Sequence, residues 1–201
     1  MLGNPNYPTY QVFLAIGISA VITAALMPLF IRLMRHEGLG QQIRADGPQR
    51  HLVKQGTPTM GGLVMLAGVL VTCLLQVTWT AKLVLAVLAM LATGSLGLLD
   101  DIESVAHRRS LGLTPSQKMV GLILISVSFC LVATNACGIE PVISFPGGFT
   151  LDLGVLSSTF NIDGTVVQVP WLYVAFVFLL MAGLSNAVNL TDGLDGLSSG
   201  C

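Results

Sequence analysis

Five stretches of this chain carry no charged side chain: residues 12–31, 60–81, 83–99, 119–139 and 169–191. Each is long enough to cross about 30 Å of hydrocarbon as a helix, which takes roughly 17–25 residues. No other feature limits the fold so strongly. In a bilayer every backbone N–H and C=O must find a partner inside the segment or in a closed sheet, and continuous apolar runs of this length read as helices. Charged residues make up only 9% of the chain, against roughly 25% in ordinary soluble domains. Nine basic and ten acidic side chains are too few to clothe a soluble globule of 201 residues. The expectation is an all-α polytopic membrane protein, one integral-membrane domain over 1–201 with five transmembrane helices and a small β-hairpin outside the bilayer. A net charge of −1 offers no basic field for nucleic acid.

The first apolar stretch does not read as a cleaved signal: MLGNPNYPTY has no basic residue, and the positive charges follow the span. Arg32, Arg35, Arg44, Arg50 and Lys54 come after the first span, and Arg108, Arg109 and Lys118 after the third. Only Lys82 falls in another connection. The positive-inside rule makes the loops with eight of the nine cytoplasmic. The N-terminus is then outside, and the fifth span runs inward, delivering Asn189, Asp192 and Asp195 to the cytoplasm. Cys73, Cys130 and Cys137 lie in apolar spans without metal or redox spacing, and read as packing residues.

The connections are short. TWTAK joins spans two and three as an outer turn with an interfacial Trp79. DDIESVAHRRSLGLTPSQK reads as helix to about Arg109, a turn at SLGLTPS and a restart near Pro115, with Thr114 or Ser116 as cap. The outer segment from Pro141 to Pro170 alternates around Gly147-Gly148 and Asp163-Gly164, as one or two β-hairpins would.

Three patches concentrate polar residues on the expected cytoplasmic side. KQGTPTMGG, Lys54 to Gly62, combines glycines that let backbone approach a ligand with Lys54, Thr57 and Thr59 as phosphate donors. The same residues also read as a plain helix entry, Thr59 capping and the glycines packing helices closely. LLDDIES puts Asp100 and Asp101 at the inner end of the third span. A solvated helix end is one reading. The helix dipole, however, disfavours carboxylates at a C-terminus, and no Lys or Arg follows for six residues, which points to a cation or a proton-transfer role. NAVNLTDGLDGL sets Asp192 and Asp195 three residues apart, with Asn189 before them. On a continuing helix these share a face. A helix that frays into the cytosol is the alternative.

Carboxylates with other oxygen donors suit Mg²⁺, which keeps several waters and bridges to substrate phosphates. Lysine and threonine suit the phosphates. With one substrate in the membrane, phosphoryl transfer onto a lipid phosphate is the chemistry these patches fit, because it demands positioning and charge neutralisation.

MRHEGLGQQIRADGPQRHLVKQGTPTMGG, LLDDIES and NAVNLTDGLDGL together resemble the bacterial phospho-N-acetylmuramoyl-pentapeptide transferases (translocase I), within the polyprenyl-phosphate N-acetylhexosamine-1-phosphate transferase superfamily. The resemblance covers essentially the whole chain. It implies transfer of phospho-MurNAc-pentapeptide from UDP-MurNAc-pentapeptide to undecaprenyl phosphate, giving lipid I and UMP with Mg²⁺. The setting is the bacterial inner membrane, the protein a homodimer of about ten helices per subunit with its active site toward the cytoplasm. Asp100 is then the base that deprotonates the lipid phosphate, with Asp101 beside it near the metal. Lys54 and Thr59 line the nucleotide site. Asn186, Asn189 and Asp192 contact the ribose–diphosphate, and Gly193, Leu194 and Asp195 the uracil. Asp101 and Asp192 are the metal candidates, the family's main Mg²⁺ ligand being expected beyond Cys201.

Two departures stand out. The family usually has Lys three residues after the second Asp, where Ser104 stands here; Arg108, Arg109 or Lys118 are candidates to replace that charge. The family also continues for more than a hundred residues past DGLDGL, so the chain is expected to be an N-terminal fragment without activity alone. The alternatives are a GlcNAc-1-phosphate transferase of the same superfamily and a non-catalytic membrane remnant.

Overall fold

A computed structural model describes residues 8–36, 60–76, 78–107, 112–162 and 164–191. Every expected span is helical: α1 Pro8–His36, α2 Gly61–Gln76, α3 Ala81–Ala106, α4 Pro115–Asn135 and α5 Trp171–Thr191. Between α4 and α5 lie β1 Val142–Ser144, β2 Thr150–Asp152, β3 Ser157–Ile162 and β4 Thr165–Pro170. Four helices are long and apolar enough to span a bilayer, at Tyr10–His36, Ala81–Ala106, Pro115–Asn135 and Trp171–Val188. The chain is a multi-pass membrane protein.

Several boundaries differ from the sequence expectation. The stretch 60–81 holds only the 16-residue α2, roughly 24 Å at 1.5 Å per residue. Met60 has φ 67°, outside the helical region, and Thr78–Thr80 have no regular secondary structure before α3 begins at Ala81, which leaves Thr80 at the cap position. At the other end α3 stops at Ala106, with His107 in a turn, and residues 108–111 lie outside the described set. Helix α4 begins at Pro115 behind Thr114, as expected, and ends at Asn135. There Gly138, at φ 59°, swings the chain so that Ile139 N–H reaches the Ala133 carbonyl at 2.9 Å. Cys137 therefore sits in a turn and not in a span.

Two compact units make up the structure: Met1–Thr80 with Met90–Pro115, and Ala81–Ala89 with Ser116–Cys201. In the first, α1 packs along α2. Gly68 makes the approach possible, because a Cβ there would collide with Thr23 Oγ1 and lie 3.2 Å from the Ser19 carbonyl oxygen. Gly94 of α3 likewise sits against the Leu66 side chain. Small residues at helix contacts suit a bilayer, where lipid removes the hydrophobic drive between helices and close packing replaces it. Thr72 is buried, and its hydroxyl donates to the Gly68 carbonyl at 2.8 Å, which satisfies it within the helix.

In the second unit Leu122, Ser126, Cys130 and Ala133 form one buried stripe along α4. It meets α5: Ser126 Oγ is 3.3 Å from Met181 Sδ, and Cys130 Sγ 4.0 Å from the Tyr173 carbonyl oxygen. Since later residues of α4 meet earlier ones of α5, the two run antiparallel, as a connection on one side of the bilayer requires. That connection is two hairpins. β1 pairs with β2, Ile143 opposite Leu151, and β3 pairs with β4, Phe160 opposite Val167. Gly147, Gly148 and Gly164 have φ of 101°, 86° and 82°, conformations that glycine adopts without strain. Asn135 exchanges two hydrogen bonds with the Gln168 backbone, at 2.8 and 2.9 Å, pinning the end of α4 to β4. Trp171 ties the start of α5 to β3, its indole donating to Ser158 Oγ at 2.9 Å.

Candidate active site

Asp100 and Asp101 occupy the last two turns of α3, both half-buried. Helix carbonyls, not amides, point out of this end, so the helix terminus offers a carboxylate no free amide. A second segment does. Leu113 N–H donates to Asp100 Oδ1 at 2.8 Å. The donor comes close because residue 112 is glycine: a Cβ on Gly112 would fall on the Asp100 carbonyl oxygen and stand 2.8 Å from Oδ1. Gly112 and Leu113 are the site residues that the sequence reading missed. Their signal was visible in LGLTP, a glycine and a helix cap following the paired aspartates, but it was read only as a turn.

One turn beyond Asp100 on the same face comes Ser104, half-buried, where a lysine was expected from the resemblance. Glu103 and His107 pair at 3.2 Å across one exposed turn. Lys118 lies in the first turn of α4, half-buried, while Arg108 and Arg109 fall outside the described residues.

Helix α5 continues through Asn186 and Asn189 to Thr191. The Asn186 amide donates to the Ala182 carbonyl at 2.8 Å. The carboxylates belong to the first unit and the asparagines to the second. Lys54, Thr59, Asp192, Gly193, Leu194 and Asp195 lie outside the described residues.

Among the described residues no three His, Cys, Asp or Glu side chains form a metal-holding group. Asp100 and Asp101 nonetheless have the right donor chemistry for Mg²⁺, which is usually bound by one or two carboxylates with waters and substrate phosphates supplying the remaining oxygens.

Comparison with known proteins adds to this geometry. The model of glycosyl transferase family 4 matches residues 83–201, from the third span through DGLDGL. Signature 1 of the phospho-N-acetylmuramoyl-pentapeptide-transferases matches residues 54–66, including Lys54 and Thr59. A phospho-N-acetylmuramoyl-pentapeptide-transferase of Oceanobacillus iheyensis is 39% identical over 193 residues, which are 93% of this chain and 54% of the relative. That of Thermobifida fusca is 39% identical over 191 residues, 92% of this chain and 52% of the relative. For Geobacillus kaustophilus the figures are 38% over 198 residues, 96% and 56%. The chain spans about half the length of the curated relatives it matches. With more than half of its residues matched by the family model, and the signature falling on the glycine-rich KQGTPTMGG patch, the chain belongs to glycosyl transferase family 4 and carries the signature of the phospho-N-acetylmuramoyl-pentapeptide-transferases.

Proposed function

We propose that this chain carries part of the active site of a transferase that moves phospho-MurNAc-pentapeptide from UDP-MurNAc-pentapeptide to undecaprenyl phosphate, with release of UMP. The observation that carries this reading is the transferase signature over residues 54–66 in a chain whose third helix carries two half-buried aspartates in its last two turns. Asp100 takes the proton of the acceptor phosphate. The freed oxygen attacks the phosphorus that bears the sugar, the bond from that phosphorus to the bridging oxygen breaks, and UMP leaves with the electron pair. Lys54 and Thr59 hold the nucleotide's phosphates. Asn186, Asn189 and Asp192 hold the ribose–diphosphate, and Gly193, Leu194 and Asp195 the uracil. Asp101 and Asp192 would hold Mg²⁺, which would supply charge neutralisation for the diphosphate.

The reaction faces the cytoplasm, where the soluble nucleotide is available. Eight of nine basic residues on the same loops as these patches support that orientation. The working assembly is a homodimer in the inner membrane.

The experiment is UMP release from membranes carrying the complete gene product, with both substrates and Mg²⁺. Release that depends on undecaprenyl phosphate is expected, and Asp100→Asn should lower it by about 10²-fold or more. Near-normal turnover in that variant at every pH tested removes the base role. No lipid-dependent UMP from the unaltered protein removes the function.

A further inference from the structure

We infer that the backbone of Gly112 and Leu113 helps to position the Asp100 carboxylate for reaction. This rests on the transferase reading above, which makes Asp100 a reacting group. The backbone amides around Asp100 are committed to the helix ladder, and the terminal torsion of its carboxylate is broad and soft. The chain leaves α3 after Ala106 and returns so that Leu113, thirteen residues on, places a directional donor 2.8 Å from Oδ1.

That return demands glycine at 112 for proximity, not for backbone freedom. The residues with positive φ among the described glycines are Gly138, Gly147, Gly148 and Gly164, and Gly112 is not one of them. What excludes a side chain is the end of α3 itself. A Cβ at 112 would coincide with the Asp100 carbonyl oxygen and stand 2.7 Å from the carbonyl carbon. Both are backbone atoms fixed by the helix, so they cannot swing aside as a flexible side chain would, and residue 112 must move instead. Any movement carries the adjacent Leu113 N–H away from Oδ1. Gly112 therefore acts through Asp100 and touches no substrate; it is a positioning residue.

Two measurements on the complete gene product test this. In the UMP assay Gly112→Ala should lower kcat by roughly 10²-fold, the scale of a misplaced reacting group, while KM for each substrate stays within about twofold. Gly97→Ala, one turn before Asp101, is the control, because its new methyl meets nothing within 4 Å; its kcat should stay within about twofold. Unchanged kcat in Gly112→Ala, an equal loss in Gly97→Ala, or a rise in KM that accounts for the whole effect overturns the inference. The second measurement needs no turnover. Exchange of the Leu113 amide should be slow in the unaltered protein and at least about tenfold faster in Asp100→Ala. Exchange indifferent to Asp100 overturns the contact even where transfer is active. An unaltered protein that makes no UMP sinks the transferase reading and the catalytic purpose of the contact, and the exchange result still decides whether the contact exists.

Discussion

Gly68→Ala offers a quantitative test of the α1–α2 contact, because the structure predicts a change of sign with background. Two effects compete. Alanine is favoured over glycine in a helix interior by about 1 kcal/mol. Against this, the new Cβ collides with Thr23 Oγ1 and presses on the Ser19 carbonyl oxygen at 3.2 Å, while Thr23 Cβ at 3.6 Å is an ordinary contact. Overpacking of this kind costs about 1–3 kcal/mol. Thr23 is branched at Cβ, so rotating its hydroxyl away brings another heavy atom toward the same space. In the unaltered background the clash wins, and Gly68→Ala should destabilise by up to about 2 kcal/mol. With Thr23→Ala the colliding atom is gone, and the same substitution should be neutral or stabilising by up to about 1 kcal/mol. The coupling between the two sites should then exceed about 0.5 kcal/mol, the size expected of residues in contact. The four variants would be unfolded by SDS titration in mixed micelles and followed by far-UV circular dichroism. Additive effects, or a Gly68→Ala that is equally costly in both backgrounds, refute the packing of α1 on α2 described here.

Asn135→Ala should destabilise the second unit by about 1–2 kcal/mol, since it removes the reciprocal pair with Gln168 and each such bond contributes about 0.5–1.5 kcal/mol net; a lower thermal midpoint checks this, and Asn135→Asp, which keeps only the acceptor, should fall between. Ala133→Leu, at a fully buried position of α4, should cost about 1–3 kcal/mol, whereas Leu75→Ala, 70% exposed on α2, should cost less than about 0.5 kcal/mol in the same titration. For orientation, single cysteines introduced at Ser158 in β3 and at Thr114 before α4 should react with a membrane-impermeant thiol reagent from opposite sides, Ser158→Cys in intact cells and Thr114→Cys only after permeabilisation. The reverse pattern overturns the cytoplasmic placement of Asp100.

The helices were legible because their signal is redundant: twenty charge-free residues exclude most alternatives at once. Their ends were less legible because they depend on single residues. Gly138 stopped α4 at Asn135 through a positive φ, a property that many glycines in this chain do not have. Met60 took a positive φ without being glycine, which no propensity argument would have selected. The hairpins were readable from Asp163-Gly164 and Gly147-Gly148, where turn chemistry and alternation agree. At the site, Asp100 and Asp101 stood out because charge at a membrane boundary is costly. The partner of Asp100 is a main-chain amide, and an amide belongs to every residue except proline. Only the absence of a side chain at 112 marked it, and that mark means nothing until the Asp100 carbonyl is known to lie beside it.

Beside Leu122 and Val64, this chain buries several small or polar residues. Ser126, Cys130, Ala133 and Thr72 are inside, whereas Phe13, Val21, Leu74 and Leu75 face outward. A water-soluble protein gains by hiding the second group, because burial removes about 25 cal/mol per Å² of apolar contact with water. In hydrocarbon that gain vanishes, and what remains is dispersion at close range, strongest where backbones approach. Gly68 and Gly94 permit such approach in the first unit, and Ser126, Cys130 and Ala133 permit it in the second. The hydroxyls of Thr72 and Ser126 cost little there because each donates to the carbonyl four residues earlier, at 2.8 and 2.7 Å. Small and internally satisfied residues can therefore share the interior with Leu122 and Val64, while many large side chains face lipid. Asp100 differs, since its carboxylate accepts from an amide thirteen residues away. A contact supplied from a loop can be shifted by a change in that loop while the helix stays folded, which is why substitution at Gly112 separates reactivity from stability.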